Sequence, residues 1–289
     1  MNNIIGEDLK QIVDVIDNAE ALVLGAGSGL SSAAGFKYEG MFFEENFSDF
    51  IEEYGFSDMY SAGFYPFETL EEYWGYWSRH IYLNRYKYKD NELYKNLIDF
   101  IKDKNYFVIT TNVDHQFQLS GVDKNRLFYT QGDYGLFQCS VPCHNKTYDN
   151  KDIIAEMVEK QKDRKIPSNL VPYCPKCNKP MTTNLRVDDT FVEDKGWHRA
   201  HENYKNFLDI NKYKKIVFLE LGVGFNTPGI IKYPFENMVR KYENAVLIRI
   251  NQEKSPYFFD IKDKIIFVKG DLKETLNDIF KYKNKKEQL

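Results

Sequence analysis

The run Ala21-Leu22-Val23-Leu24, followed at once by Gly25-Ala26-Gly27-Ser28-Gly29, decides the fold. A short apolar run bounded by glycine reads as a buried strand, and a Gly-rich turn directly after a strand is how a nucleotide-binding sheet begins. Ahead of it, Leu9, Ile12, Val13 and Ile16 recur at helical spacing and predict an amphipathic helix. Beyond it, buried-strand patterns recur at residues 106–109, 127–129, 216–221, 245–250 and 265–268. Helical patterns lie between several of these, including 235–241 and 271–280, and the polar tail 281–289 is expected to fray. Strands alternating with helices predict an α/β fold, a Rossmann-like doubly wound parallel sheet.

Two stretches break that rhythm. Residues 38–103 read as helical and aromatic-rich, with Tyr73, Trp74 and Trp77 close together, whereas 136–197 reads as irregular and carries every cysteine. Both are expected to be insertions that form a smaller lobe, helical and metal-binding, over the carboxyl edge of the sheet. The larger lobe would then comprise approximately 1–37, 104–135 and 198–289. Ligands of such sheets bind at the carboxyl edge, so the site is expected between the lobes.

Composition excludes some functions. A formal net charge of -4 on 289 residues gives no electrostatic support for non-specific nucleic-acid binding. No stretch approaches the roughly 20 apolar residues of a bilayer span, and no basic-then-apolar leader opens the chain, so a cytoplasmic protein without membrane or nucleic-acid partners is expected. The 21 Tyr and 22 Phe accompany abundant Asn, Lys and Ile, which points to genome composition before any special aromatic surface.

The Gly-rich turn departs from the dehydrogenase fingerprint G-x-G-x-x-G, because its third glycine comes one place early. Glu44 and Glu45 fall at the distance of the ribose-binding acid, but Met41-Phe42-Phe43-Glu44-Glu45 has no strand alternation. Hydride transfer is therefore disfavoured. Bare Gly27 would still let a pyrophosphate approach the backbone at a helix N-terminus; a plain tight turn is the competing reading.

Cys139-x3-Cys143 and Cys174-x2-Cys177 form two knuckles, with Pro142 and Pro175 inside them. Four thiolates converging on one ion make a tetrahedral zinc site with no open position, hence a structural one. Four unrelated buried thiols are the alternative; the adjacent His144 could replace one ligand, or simply be an exposed histidine.

Three polar or Gly-containing segments follow strand patterns: Thr110-Thr111-Asn112-Val113-Asp114, Thr130-Gln131-Gly132-Asp133, and Leu221-Gly222-Val223-Gly224-Phe225-Asn226-Thr227-Pro228. Their convergence on one crevice is hard to explain as packing.

With these motifs in order, the chain resembles a single sirtuin domain over almost its whole length, of the sirtuin/deoxyhypusine synthase-like NAD-binding fold. Gly25-Ala26-Gly27 matches the family's opening G-A-G, Thr111-Asn112-Val113-Asp114 resembles its T-Q-N-x-D, and the cysteine pairs match its zinc module. Gly222-Val223-Gly224 resembles its G-T-S, and Ile250-Asn251 and Gly270-Asp271 its late cofactor contacts. The departures bear on function. Gly35-Phe36-Lys37-Tyr38 stands where the deacetylases have P-D-F-R, and Gln131 stands where they have a catalytic His. A carboxamide does not titrate near neutrality, so the usual general base is missing.

Those variants, with Gly29-Leu30-Ser31-Ser32-Ala33-Ala34-Gly35 and Asn184-Leu185-Arg186-x-Asp188, are similar to the macrodomain-linked (class M) bacterial sirtuins. The resemblance implies an NAD-dependent protein mono-ADP-ribosyltransferase, a glycosyltransferase that modifies a lipoylated glycine cleavage H-like carrier, with a macrodomain hydrolase and a lipoate ligase as pathway partners. It implies Asn112, Gln131, Arg186 and Asp114 as catalytic residues. It implies NAD contacts at Gly25, Ala26, Gly27, Ser28, Leu30, Tyr38, Asn112, Asp114, Gln131, Gly222, Val223, Gly224, Asn226, Asn251, Asp271 and Leu272. Zn(2+) would be structural on Cys139, Cys143, Cys174 and Cys177. Lysine deacylation and a non-catalytic NAD-binding sensor are the alternatives.

Overall fold

A computed structural model describes residues 6–87, 89, 91–253 and 256–288. The described strands are β1 (Ala21–Ala26), β2 (Tyr106–Thr110), β3 (Leu127–Tyr129), β4 (Gly132–Cys139), β5 (Tyr148–Asp149), β6 (Met181–Leu185), β7 (Ile216–Leu221), β8 (Ala245–Asn251) and β9 (Ile265–Lys269). Six of them pair in parallel in the order β3-β2-β1-β7-β8-β9. That is the Rossmann-like arrangement expected, with the order reversing between β1 and β7. Register aligns Ala26 with both Thr110 and Leu221, so the loops after β1, β2 and β7 leave the sheet at one level. A topological switch point of this kind opens the crevice in which such sheets bind ligands.

Strands β1, β2 and β7 are buried at every position, as expected of central parallel strands covered on both faces. Alternation along β1 sends Leu22 and Leu24 to one face and Ala21 and Val23 to the other. The first face packs on helices Gly6–Asp17, Glu92–Ile101 and Leu272–Glu287, the second on Lys195–Asn211 and Lys232–Lys241.

Three features correct the sequence reading. Leu93, Leu97, Ile98 and Ile101 pack beneath the six-stranded sheet, so the end of the 38–103 segment shares the large core, not the small one. The tail continues as helix to Glu287. There Tyr282 packs on the core while Lys283 and Lys286 reach Asp17 at 2.7 and 2.9 Å. The 136–197 segment holds a regular antiparallel sheet, β5-β4-β6, and the helix Lys151–Lys160.

This second sheet shares a core with helices Met41–Tyr54 and Leu70–Ile81. Trp74 packs edge-on against Phe137 at 4.7 Å, and Phe47, Phe50 and Tyr76 contact one another. Aromatic rings here supply the apolar area that segment 136–197 lacks. No described helix is long and apolar enough to cross a membrane.

Candidate active site

The Gly-containing ends of β1 and β7 meet backbone to backbone. Gly27 N–H donates to Leu221 O at 3.1 Å and Gly29 N–H to Gly222 O at 3.0 Å. A Cβ on Gly27 would lie 2.8 Å from Gly222 O and Val223 Cα, and one on Gly29 2.7 Å from Gly222 Cα. Gly222 itself is left-handed, with φ of 58°, and its Cβ would meet Gly29 at 2.7 Å. The space that a side chain at 27 would enter therefore belongs to the 222–223 backbone, rather than to a pyrophosphate. We expect Gly27→Val to lower the thermal midpoint, because overpacking costs roughly 1–3 kcal/mol and a backbone neighbour yields poorly. A variant melting like the parent while losing NAD would return that space to the ligand.

Gly25 faces Ile231 and Phe235, and only Gly224 of these positions looks onto open space. Ala26 and Leu30 are buried, whereas Ser28 and Asn226 are exposed at the crevice rim. Asn251 donates to Val223 O at 3.0 Å and bolsters the glycine loop from behind. Asp271 caps the last helix by accepting from Glu274 N–H at 2.9 Å, and Leu272 points into the core.

Beside the turn, Asp114 is 2% exposed. Its Oδ2 accepts from Ser31 Oγ at 2.6 Å and its Oδ1 from Gln116 N–H at 3.0 Å. Burial raises its carboxyl above the usual range and the nearby Asp133 charge adds to this, against the opposing pull of those two donors. Asn112 donates to Gly27 O at 3.0 Å and to Tyr94 Oη at 3.3 Å, which ties the end of β2 to the glycine turn. Tyr94 gave no sign in sequence: on an apolar helix face it reads as core, yet its buried hydroxyl also lies 3.4 Å from Ser31 Oγ. Tyr38 is half-buried; burial, then the Asp114 charge, pushes its hydroxyl up to about 12. Behind it, burial drives His80 down to about 3, so it is a neutral partner for Tyr134 Oη at 3.0 Å.

Gln131 is half-buried between two backbone bonds, Thr130 N–H to Thr110 O at 2.9 Å and Tyr134 N–H to Val113 O at 3.0 Å. Its own carbonyl accepts from Arg186 N–H at 3.0 Å. Gly132 must be glycine, since φ is 93° and a Cβ would lie 1.9 Å from Asn184 O. The Arg186 guanidinium lies over the rings of Phe191, at 4.4 Å, and Trp197, at 5.4 Å, and pairs with Glu193. Trp197 is anchored by its Nε1–H to Thr130 O at 3.0 Å. Arg186 is thus a held but exposed cation whose backbone is bonded to that of Gln131.

Two charged groups of the region were missed by sequence reasoning. Asp133 accepts from Arg85 Nε at 2.9 Å and from His115 Nδ1. Beneath the glycine loop, Glu220 joins Lys232 and Arg249 at 2.8 Å each, and Arg249 reaches Glu236 at 2.7 Å; all four side chains are buried. A lone Glu inside the apolar run 216–221 was the available signal for the second group.

The four cysteine sulfurs lie within 4.8 Å of one another, with Cys139–Cys177 at 3.5 Å and Cys143–Cys174 at 3.6 Å. A Zn–S length of about 2.3 Å sets tetrahedral sulfurs about 3.8 Å apart, so the donor set fits zinc. His144 Nδ1 sits 3.0 Å from Cys143 Sγ and its Nε2 bonds Tyr148 Oη at 2.8 Å, a neighbour of the cluster rather than one of its four corners. Cys139 ends β4 and Gly132 begins it, which separates the cluster from Gln131 by roughly 25 Å at strand rise. The cysteine cluster thus lies apart from the crevice.

No family model matches the chain. It is 39% identical over 276 residues to a protein ADP-ribosyltransferase of Staphylococcus aureus, covering 94% of this chain and 88% of that one. It is 28% identical over 246 residues to a probable bifunctional ADP-ribose hydrolase/ADP-ribosyltransferase of Fusarium oxysporum f. sp. cubense, covering 81% of this chain and 41% of that longer protein. Sir2Tm bound to a propionylated peptide superposes with a TM-score of 0.63 at 18% identity, covering 96% of this chain and 98% of that one. Sir2 bound to acetylated peptide gives 0.57 at 16% identity with the same coverage. At those identities the structures share the fold.

Proposed function

Since the chain belongs to the sirtuin family, among its protein ADP-ribosyltransferases, we propose that it transfers ADP-ribose from NAD to a lipoylated glycine cleavage H-like carrier and releases nicotinamide. One observation supports this reading: backbone bonds from Thr130 N–H to Thr110 O and from Tyr134 N–H to Val113 O join the segment of Gln131 to that of Asn112 and Asp114, and Arg186 N–H donates to the Gln131 carbonyl. A carboxamide donates and accepts hydrogen bonds but takes no proton near neutrality, which disfavours the ribose deprotonation that deacylation needs.

In the proposed reaction the bond between ribose C1′ and nicotinamide breaks, and its electron pair leaves with nicotinamide, neutralising the pyridinium. A lone pair of the acceptor atom then bonds C1′, and any proton that atom carries passes to solvent. Asp114 orients the nicotinamide carboxamide or steadies the developing positive charge, Asn112 holds the ribose, and Gln131 bonds the ribose hydroxyls. Arg186 positions the acceptor, for which its forked donors suit a carboxylate. Holding donor and acceptor together supplies much of the acceleration. Gly25 through Leu30 would line the pyrophosphate side, and Gly222 through Asn226, Asn251 and Asp271 the adenosine side. Cys139, Cys143, Cys174 and Cys177 would hold a structural zinc, consistent with the reduced thiols of a cytoplasmic protein. A macrodomain hydrolase that removes the mark and a lipoate ligase that loads the carrier complete the proposed pathway.

Incubation with NAD and the lipoylated carrier tests this. We expect a mass gain of one ADP-ribose on the carrier and no deacylation of an acyl-lysine peptide. Asn112→Ala should cut transfer most, by roughly 100-fold or more for a group at the reacting ribose. Arg186→Ala should slow transfer with NAD affinity largely intact. Robust deacylation by the parent enzyme would overturn the transferase reading.

A further inference from the structure

His115 adopts a left-handed backbone, φ 66°, without being glycine. Such conformations cost free energy and persist where the surroundings over-determine them. Here the surrounding structure is specific. The imidazole Nδ1 donates to Asp133 Oδ2, while Asp133 Oδ1 accepts from Arg85 Nε at 2.9 Å and from Gly135 N–H at 2.7 Å. Asp133 is 4% exposed. Arg85 lies in the π-helical turn Tyr82–Tyr86 that ends helix Leu70–Ile81. Three separate segments therefore meet at one carboxylate: the loop after β2, the start of β4 and the helical insertion.

The two residues flanking this junction are site residues. His115 directly follows Asp114, and Asp133 comes two places after Gln131. The backbone bonds that flank Gln131, from Thr130 to Thr110 and from Tyr134 to Val113, zip the same two segments together. We propose that His115 is a positioning residue for ADP-ribosyl transfer: its bridge through Asp133 to Arg85 sets Gln131 and Asp114 in register across the crevice. The inference rests on the transferase reading. Burial pushes the Asp133 carboxyl up, but His115, Arg85 and the Gly135 N–H outweigh it and hold the group below its ordinary value, as an anion.

Kinetics of nicotinamide release with NAD and the lipoylated carrier, alongside NAD calorimetry, test it. His115→Gly removes the imidazole and keeps the backbone unstrained, whereas His115→Asn tolerates the left-handed conformation and restores an N–H near the position of Nδ1. We expect His115→Gly and Asp133→Asn to lower kcat by about 10- to 100-fold, the size of effect a small misplacement produces, with NAD affinity within about 2-fold. His115→Asn should recover kcat to within about 3-fold of the parent. Parent-like kcat in His115→Gly, or a folded His115→Asn that recovers nothing, overturns the proposal. Should His115→Gly melt below the assay temperature, Asp133→Asn decides by the same split between kcat and NAD affinity. A parent enzyme that binds NAD yet transfers nothing would defeat the transferase reading together with this inference; an active parent with indifferent variants would defeat the inference alone.

Discussion

Cys174→Ser is expected to lose the metal and melt the second core, rather than merely slow the enzyme. Cys139 and Cys174 are fully buried and pack in the same cluster as Trp74, Phe137 and Met181. Structural zinc contributes roughly 10–16 kcal/mol to small metal-folded domains. An incomplete thiolate set forfeits much of that, and here the two knuckles pin the ends of β4 and the return to β6. Purified parent protein should carry about one zinc per chain. The variant should be zinc-free, lose the near-ultraviolet signal of the buried Trp74 and Trp77, and melt more than about 10 °C lower, since each kcal/mol moves a chain of this size by about 2–4 °C. A metal-free variant with the parent's melting curve would show that the thiols stabilise the core by packing alone.

The second large effect is expected at Glu220→Gln. The side chains of Glu220, Lys232 and Arg249 are 0% exposed, and Glu220 accepts from both cations. Neutralising it leaves two buried cations short of one negative charge, a loss that typically costs about 3–5 kcal/mol. The damage should also reach the site. Glu220 lies in the strand that delivers Gly222, and Gly222 N–H is held by Ile250 O, next to Arg249. We therefore expect a lowered denaturation midpoint together with weaker NAD binding, read by urea titration and calorimetry. An unchanged midpoint would mean that the cluster does not carry its charges as a bonded set.

The two sites differ in how plainly the chain announces them. The cysteine knuckles are local chemistry: spacing within each pair, with proline between, announces a metal corner without knowledge of the fold. Glu220 is the reverse case. In the sequence it is one acid in an apolar run, and only the approach of Lys232 and Arg249 explains how it survives burial. Gly27 lies between them. Its requirement for glycine was legible, but the reason was not, because the atoms that fill the missing side chain belong to the Gly222 loop.

The six parallel strands and their order of appearance were written in apolar runs, because a strand buried on both faces needs apolar side chains at nearly every place. So was the helix-rich, aromatic character of 38–86, and so were the strand-end motifs that hold Asn112, Asp114 and Gln131. The antiparallel sheet of β4, β5 and β6 was not. Its strands are short or interrupted by polar residues, and their burial comes from Trp74 on the distant helix Leu70–Ile81 and from Met157 on the helix between β5 and β6. The polar tail, whose composition predicts fraying, stays helical for a similar reason, since its polar face is held by Asp14 and Asp17 of the first described helix. Periodicity and spacing report what a segment presents to its surroundings. Which group answers it, whether Tyr94 to Asn112, Asp133 to His115 or Arg249 to Glu220, is decided only when distant segments pack, because hydrogen bonds and ion pairs depend on distance in space and not along the chain.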